Sequence, residues 1–220
     1  MQTKQTITII GATGNMGSSL SKSLSKGNYR LLLHGKDLAK LQSLEQDIRK
    51  LNPSADIEAI DCSYNGCWEA DIIISAIPYQ AEKEFAERIR QVATQKIVIS
   101  ITNPLNETYD GLITGSDTSA ADELQSLLPN SKIVKAFNTT FARDFLQPVI
   151  EGNQVDCFIA GNDKEAVETV TELVTTVGFN PIHAGDLSTS RTLEHMQLLL
   201  IQLNNKYHYK GLAGWKVLHQ

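Results

Sequence analysis

Residues 7–17 read ITIIGATGNMG, an apolar run followed at once by a glycine-rich turn. Met16, Leu20 and Leu24 then recur at the spacing of one helix face, so the turn joins a strand to a helix. Such a turn lets bare backbone approach a pyrophosphate, and the free N–H groups of the helix N-terminus favour negative charge. This context predicts a dinucleotide site, with a plain strand-to-helix turn as the alternative.

Apolar runs of strand length recur along the chain, with helix-like segments between them. The predicted strands are residues 7–10, 30–33, 57–60, 72–77, 97–101, 133–137 and 155–160. Several show little alternation of apolar and polar residues, which is typical of parallel strands covered on both faces. The pattern predicts an α/β fold with a doubly wound parallel sheet, the Rossmann fold. We expect a nucleotide-binding domain over residues 1–140 and a smaller C-terminal α/β part over residues 141–220.

Segments with the apolar spacing of helices lie between the predicted strands. Apolar residues recur every three or four positions in three segments, which are Leu38, Leu41, Leu44, Ile48 and Leu51; Phe85, Ile89 and Val92; and Val167, Val170 and Val174. Asp163 is placed to cap the last of these helices and Gly178 to end it. Residues 103–119 show no clear period, so we expect a long surface loop there, a candidate lid.

The end of the second predicted strand indicates which dinucleotide fits. Residues 33–40 read LHGKDLAK and carry no acidic residue at the strand end, where an NAD site would hold the ribose 2′-hydroxyl. Lys36 and Lys40 follow His34 and Gly35 and could both face a 2′-phosphate. NADP(H) is therefore preferred over NAD(H), with Asp37 as the alternative NAD-binding acid.

Composition and charge exclude several classes of protein. The chain of 220 residues is 41% hydrophobic with a net charge of −5 and no cluster of Lys and Arg, which argues against nucleic acid as a partner. No apolar run approaches the roughly 20 residues of a membrane span, so we expect a cytoplasmic protein without membrane contact. Cys62, Cys67 and Cys157 are an odd set that indicates free thiols in a reducing compartment and no metal site.

Five short motifs, taken in order, carry a family resemblance over nearly the whole chain. They are residues 11–17, 76–78, 135–139, 160–163 and 184–191, the last followed by Glu194. The set resembles the NADPH-dependent reductases of the deazaflavin coenzyme F420 and the oxidoreductase domain of the STEAP metalloreductases. Those deazaflavin reductases carry a histidine where this chain has Asn138, whereas the metalloreductase domains read Ala-Phe-Asn-Thr as here.

The resemblance implies a set of cofactor-binding residues. The implied residues are Gly11, Ala12, Thr13, Gly14, Asn15, Met16 and Gly17 at the pyrophosphate; His34, Gly35, Lys36 and Lys40 at the 2′-phosphate end; Ala76, Ile77 and Pro78 between adenine and nicotinamide; and Asn138, Thr139, Gly185 and Leu187 at the nicotinamide and acceptor rings. The implied acceptor is FMN, FAD or the deazaflavin F420. The implied activity is hydride transfer between NADP(H) and that ring.

Catalytic side chains are not evident among the polar residues. None of the five histidines forms a persuasive catalytic pair, and His195, beside Met196, Leu199 and Leu203 on a predicted buried helix, is interpreted as a boundary residue. Asp186 and Arg191 could be polar residues of the site. A helix N-cap and a structural ion pair would explain them equally well. Ring-to-ring hydride transfer needs mainly stacking geometry, so we expect no catalytic residue.

Two other functions stay open. Hydroxyacid dehydrogenases and imine reductases of the pyrroline-carboxylate reductase type share such an N-terminal fold, but they add a long helical dimerisation domain, and only about 80 residues remain here after the sixth strand. A non-catalytic NADPH-sensing module would need only the glycine turn. A homodimer is the assembly we expect if the chain self-associates.

Overall fold

A computed structural model describes residues 4–219. The strands are β1 (Gln5–Ile10), β2 (Tyr29–His34), β3 (Asp56–Ile60), β4 (Ile72–Ser75), β5 (Ile97–Ser100), β6 (Lys132–Lys135), β7 (Val149–Ile150), β8 (Asn153–Gln154), β9 (Asp156–Gly161) and β10 (Asn180–Gly185). The helices are α1 (Asn15–Leu24), α2 (Leu38–Leu51), α3 (Ser63–Glu69), α4 (Tyr79–Ile89), α5 (Ala120–Leu127), α6 (Lys164–Val177) and α7 (Ser190–Tyr207), with a short 3₁₀ helix at Leu187–Thr189.

Eight strands form one sheet in the order β10-β9-β6-β5-β4-β1-β2-β3, and β7 pairs with β8 in a separate hairpin. Strands β1 to β6 are parallel neighbours. The order reverses between β1 and β4, which confirms the doubly wound α/β fold. At this reversal the carboxyl ends of the strands leave a crevice, and the glycine turn lies beside it.

Strand β9 departs from the parallel arrangement that we predicted. It runs antiparallel to β6, with Val134 opposite Gly161 and Lys135 opposite Ala160, and β10 then pairs parallel to β9. Residues 136–155 between β6 and β9 contain no helix. A parallel neighbour needs a crossover that is usually helical, so the chain returns here in the opposite direction.

Helices cover both faces of the sheet. One core cluster takes Leu20 from α1, Leu41 from α2 and Val170 from α6, whereas another takes Phe85 from α4 and Leu124 from α5. The predicted ends of α6 are confirmed. The Asp163 carboxylate accepts from the Ala166 N–H at 2.9 Å, and Gly178 closes the helix in the left-handed region at φ 104°.

Several elements differ from the sequence prediction. Helices α3 and α5 and strand β10 were not predicted, and β4 ends at Ser75, two residues before its predicted end at Ile77. The predicted apolar face of α7 was wrong, since Leu199 is 46% exposed and the buried face also carries Glu194 and Gln197. A pattern search for apolar spacing misses a face that is partly polar.

The expected loop lies where we predicted it, between β5 and α5. It contains only an isolated bridge between Leu105 and Leu112, and its role as a lid stays a prediction. The division of the chain at residue 140 also stays a prediction, while β9 and β10 extend the same sheet as β1 to β6. Over residues 4–219, no helix is both long and apolar enough to cross a membrane.

Candidate functional site

The glycine turn is held by three strand ends at once. The Gly11 and Ala12 N–H groups donate to the His34 carbonyl at the end of β2, at 3.0 and 2.9 Å. Gly11 has φ 86°, and a Cβ atom added there would lie 2.3 Å from the Ala76 carbonyl oxygen after β4. Only glycine satisfies both the left-handed backbone and this approach. The turn is therefore fixed where β1, β2 and β4 end.

Each of the other glycines near the turn makes a different contact. A Cβ at Gly17 would lie 2.2 Å from the Gly11 carbonyl oxygen, and one at Gly35 would lie 2.7 Å from the Thr13 side chain, so both permit close packing. Gly14 is exposed, and a Cβ there would meet only the Gly11 carbonyl oxygen, at 3.3 Å. The backbone at Gly14 is thus open to a ligand.

Helix α1 begins directly at this open backbone. Its N-cap is Gly14, no side chain caps it, and its first turn contains no acidic residue. Uncapped N–H groups and the positive end of the helix dipole therefore face the crevice. This end of α1, without a side-chain cap or an acidic residue in its first turn, has the features expected of a site for an anionic group.

The second strand end opens into a small cavity of about 120 Å³. Its lining includes Gly11, His34, Gly35, Lys36, Ser63, Ile77, Phe85 and Arg88. Lys36 is exposed, and Arg88 pairs with the exposed Glu84 at 2.9 Å. Burial lowers the pKa of His34, so the imidazole adds no charge at neutral pH.

Asp37, the alternative NAD-binding acid, is engaged elsewhere. Its carboxylate accepts from the Lys40 N–H at 3.1 Å as the N-cap of α2 and lies 3.6 Å from the Lys40 ammonium. These contacts with Lys40 lower the pKa of Asp37. A ribose hydroxyl would have to compete with the helix cap for this carboxylate.

A second group of predicted residues follows β6. Phe137 has φ 61°, a left-handed conformation that bulky residues rarely adopt, and it turns the chain into Asn138 and Thr139. Asn138 exchanges two hydrogen bonds with Asn103 after β5, both at 2.9 Å. Asn138 Oδ1 and Thr139 Oγ1 are buried without a partner in the described chain. A carboxamide such as that of nicotinamide carries the N–H donors that these oxygens lack.

Gly185 and Leu187, the two predicted ring contacts near the end of β10, differ in chemical character from these buried oxygens. Gly185 has φ 136°, where a Cβ would meet the Thr189 hydroxyl at 2.8 Å. The Leu187 side chain is 2% exposed and packs in the core with Leu124, while its N–H donates to Asn162 Oδ1 at 2.9 Å. A ligand could therefore meet Leu187 only after the core side chain moves. Asp186 caps the 3₁₀ helix, as one of the two interpretations predicted.

The remaining predicted residues lie on the walls of the crevice. Ala76 and Ile77 are half-buried, and Pro78 is exposed just before α4. Met16 packs partly against the core beneath the turn, and Asn15 is exposed at the start of α1. His195 is exposed, with Nδ1 2.9 Å from the Arg191 carbonyl, and takes no part in this site.

A buried polar network lies beneath the carboxyl ends of β4, β5 and β6. Lys135 and Glu194 are fully buried and pair at 2.6 Å, and Glu194 also accepts from the Ala120 N–H at the start of α5. The Lys135 ammonium donates to the Thr102 carbonyl at 2.5 Å. The Thr102 hydroxyl donates to Glu82 Oε1 at 2.7 Å. The network ties α4, α5 and α7 to the sheet at the site.

Sequence reasoning missed Glu82 and Arg88 as members of the site. Both belong to α4, whose apolar period was predicted only from Phe85, Ile89 and Val92. Arg88 lies one turn from Phe85 and lines the cavity together with His34 at the end of β2, a proximity that local sequence does not reveal. Within residues 4–219 no three His, Cys, Asp or Glu side chains are grouped to hold a metal ion, and the three cysteines are free thiols.

The sequence of this chain is similar to those of known reductases. The family model described as NADP oxidoreductase, coenzyme F420-dependent, matches residues 6–104. The F420-dependent NADP reductase of Methanocaldococcus jannaschii is 30% identical over 217 residues, which cover 93% of this chain and 95% of the relative. The human metalloreductase STEAP2 is 34% identical over 116 residues, 52% of this chain but 22% of that protein.

Solved structures share the fold. A protein of Arthrobacter sp. FB24, provisionally named an F420-dependent NADP reductase, superposes with a TM-score of 0.81 at 20% identity and covers 97% of this chain and 99% of its own. The extent of the Methanocaldococcus match confirms the resemblance drawn from the five motifs. The chain belongs to the family of coenzyme F420-dependent NADP oxidoreductases.

Proposed function

We propose that this protein is an NADPH-dependent oxidoreductase that transfers a hydride between NADP(H) and a deazaflavin or flavin ring. The observation that carries the proposal is the glycine turn, fixed between three strand ends with its Gly14 backbone open and the uncapped end of α1 behind it. Relatives named F420-dependent NADP reductases match nearly the whole chain and support the deazaflavin as acceptor.

The geometry of the crevice supports a set of cofactor contacts. Gly11 to Gly17 would receive the pyrophosphate, and Lys36, with Arg88 in the lining of the same cavity, would face the 2′-phosphate end. The engagement of Asp37 as a helix cap supports NADP over NAD. The partnerless oxygens of Asn138 and Thr139 would receive the nicotinamide carboxamide. Gly185 and Leu187 remain proposed contacts of the acceptor ring.

One part that the protein plays in the reaction is binding and orientation. NADPH supplies the hydride when it is bound. The hydrogen bonds between Asn103 and Asn138 hold the loops after β5 and β6 together, so the donor and acceptor rings would be kept at a fixed relative position. The buried pair of Lys135 and Glu194 fixes α7 against this edge of the sheet.

Stopped-flow absorbance at the nicotinamide band tests the proposal. We expect rapid oxidation of NADPH with F420 or FMN and none with small keto acids. Turnover with a keto acid and with no ring acceptor would favour the hydroxyacid dehydrogenase or imine reductase alternative. Tight NADPH binding without any turnover would favour the sensing module.

We also propose that the protein acts in the cytoplasm, as a homodimer if it self-associates, with small-molecule partners and no nucleic acid. The three free thiols suit a reducing compartment, and a net charge of −5 disfavours phosphate backbones as ligands. Light scattering of the purified chain would give the subunit count.

A further inference from the structure

Glu82 is a buried acid that neither nucleotide binding nor the family motifs explain. It lies in the first turn of α4 and is 4% exposed. Its Oε1 atom accepts from the Ser75 hydroxyl at 3.1 Å and from the Thr102 hydroxyl at 2.7 Å. The side chain also lines a cavity of about 500 Å³ between α4 and α5, which is large enough to hold water.

The charges around Glu82 favour its protonated form. Lys135, on β6, is already neutralised by Glu194 on α7 at 2.6 Å, so an ionised Glu82 would leave a buried negative charge. Burial raises the pKa of Glu82 to about 7, against the opposing effects of the Thr102 hydroxyl and the Lys135 charge.

The cavity wall contributes the remaining titratable groups near Glu82. Lys83 lies on α4 beside it, and the Tyr79 hydroxyl donates to the Glu123 carboxylate of α5 at 2.5 Å. Burial raises the pKa of Tyr79, so the phenol stays protonated. Glu82 thus keeps its proton near neutral pH, and its side chain lies next to space that is large enough to hold water.

Thr102 connects this acid to the site. Its hydroxyl contacts Glu82 Oε1 and lies 3.4 Å from the Ile77 carbonyl, in the loop after β4. The next residue, Asn103, exchanges hydrogen bonds with Asn138. A single group, the Thr102 hydroxyl, therefore lies between the Glu82 carboxyl and the loops that would surround the rings.

The proposed reaction needs a proton as well as a hydride. It breaks the nicotinamide C4–H bond, moves the hydride with its electron pair to the acceptor ring, and adds one proton to a ring nitrogen. We propose that Glu82 supplies this proton through Thr102: the protonated Glu82 carboxyl donates to the Thr102 oxygen, reversing the bond that the carboxylate accepts, and the Thr102 hydroxyl gives its own proton to the acceptor. Water in the cavity then reprotonates the carboxylate. This inference rests on the proposed function.

Glu82→Gln tests the inference, since the amide oxygen still accepts from Ser75 and Thr102 but the side chain has no acidic proton. We expect the single-turnover rate of NADPH oxidation by F420 to fall in the wild type as the pH rises through about 7. The rate of Glu82→Gln should be about 10²-fold lower and independent of pH. The Kd for NADPH should be unchanged. The control Glu87→Gln, an exposed residue of the same helix, should behave as wild type.

A readout without turnover accompanies the kinetic one. The infrared difference between wild type and Glu82→Gln should contain a carboxylic acid C=O band that disappears above about pH 7, whereas the band of Asp144, whose pKa burial also raises, is common to both proteins and cancels. Thr102→Val should lose the rate as Glu82→Gln does, whereas Thr102→Ser should keep it. If Glu82→Gln kept the wild-type rate and pH profile, the pH dependence would belong to the acceptor. This result would overturn the inference and leave the proposed function standing. No NADPH oxidation by the wild type would overturn the proposed function as well.

Discussion

At the scale of the residue, Gly14 and Gly17 stand in one turn, yet an added methyl group meets different surroundings at each. At Gly17 it would lie 2.2 Å from the Gly11 carbonyl oxygen, whereas at Gly14 it would point toward open space apart from one contact at 3.3 Å. We expect Gly17→Ala to destabilise the fold by about 1–3 kcal/mol. We expect Gly14→Ala to keep its stability within about 1 kcal/mol but to bind NADPH at least about tenfold more weakly.

Denaturant unfolding and nucleotide titration of the two glycine variants separate these effects. Loss of stability in Gly14→Ala, or full NADPH affinity in it, would contradict the open backbone that we assign to the pyrophosphate. Both glycines belong to one recognisable motif, but their separate contacts are visible only in three dimensions.

Lys36 is the residue on which the preference for NADP depends. It is exposed on the cavity wall, and no hydrogen bond within the described chain occupies it. Lys36→Glu should weaken NADPH binding by about 1.5–3 kcal/mol, the range for a charge-assisted hydrogen bond, and change NADH binding little. Isothermal titration with both nucleotides measures the difference, with Lys50→Glu at the far end of α2 as the control. Equal losses for the two nucleotides would remove the preference.

At the scale of the element, α7 is joined to the sheet by a charge pair rather than by apolar packing alone. Lys135 and Glu194 are 0% exposed, so removal of one partner leaves a buried charge. Lys135→Met should cost about 3–5 kcal/mol of unfolding free energy. The double variant Lys135→Met with Glu194→Gln should recover part of this loss, because the amide oxygen can still accept from the Ala120 N–H. A double variant no more stable than Lys135→Met would show that the charge pair is not what holds α7.

The elements also show how far the sequence predicts the structure. Strands β2, β4 and β5 were predictable because burial on both faces leaves short runs of consecutive apolar residues, and α6 because Asp163 and Gly178 mark its ends locally. The reversal of β9 depends on the absence of a crossover helix, which no residue of β9 itself signals. Glu82, 20 residues before Thr102, becomes part of the site only when α4 packs against β4 and β5.

At the scale of the whole molecule, the glycine turn and the strand ends were predictable because each is a continuous stretch of chain. The polar network was not, since Lys135 and Glu194 are 59 residues apart and meet only after α7 folds back on the sheet. This long-range pair joins α7 to β6 in the middle of the sheet.

Asp144 lies in the segment between β6 and β7, next to Phe145, whose ring packs between Phe137 and Phe179. Its side chain is fully buried, with the Phe141 N–H donating to Oδ2 at 2.7 Å and Oδ1 without a partner in the described chain. Burial raises the pKa of Asp144 to about 7 from its ordinary value of 3.8. The native state therefore holds a proton that the unfolded chain releases between these pH values.

The stability of the wild type relative to Asp144→Asn should fall as the pH rises from about 4 to about 7, because the native state binds more protons than the unfolded one in this interval. The fall approaches about 1.4 kcal/mol for each unit of pKa difference and ends above about pH 7, where both states are ionised. Chemical denaturation of both proteins across this range measures the fall in stability.

Asp163→Asn is the control with the opposite sign. The Ala166 N–H lowers the pKa of Asp163, so the stability that this carboxylate contributes should be complete by about pH 4. A constant difference between wild type and Asp144→Asn from pH 4 to 7 would mean that Asp144 is ionised in the folded protein throughout, with water or a partner reaching Oδ1.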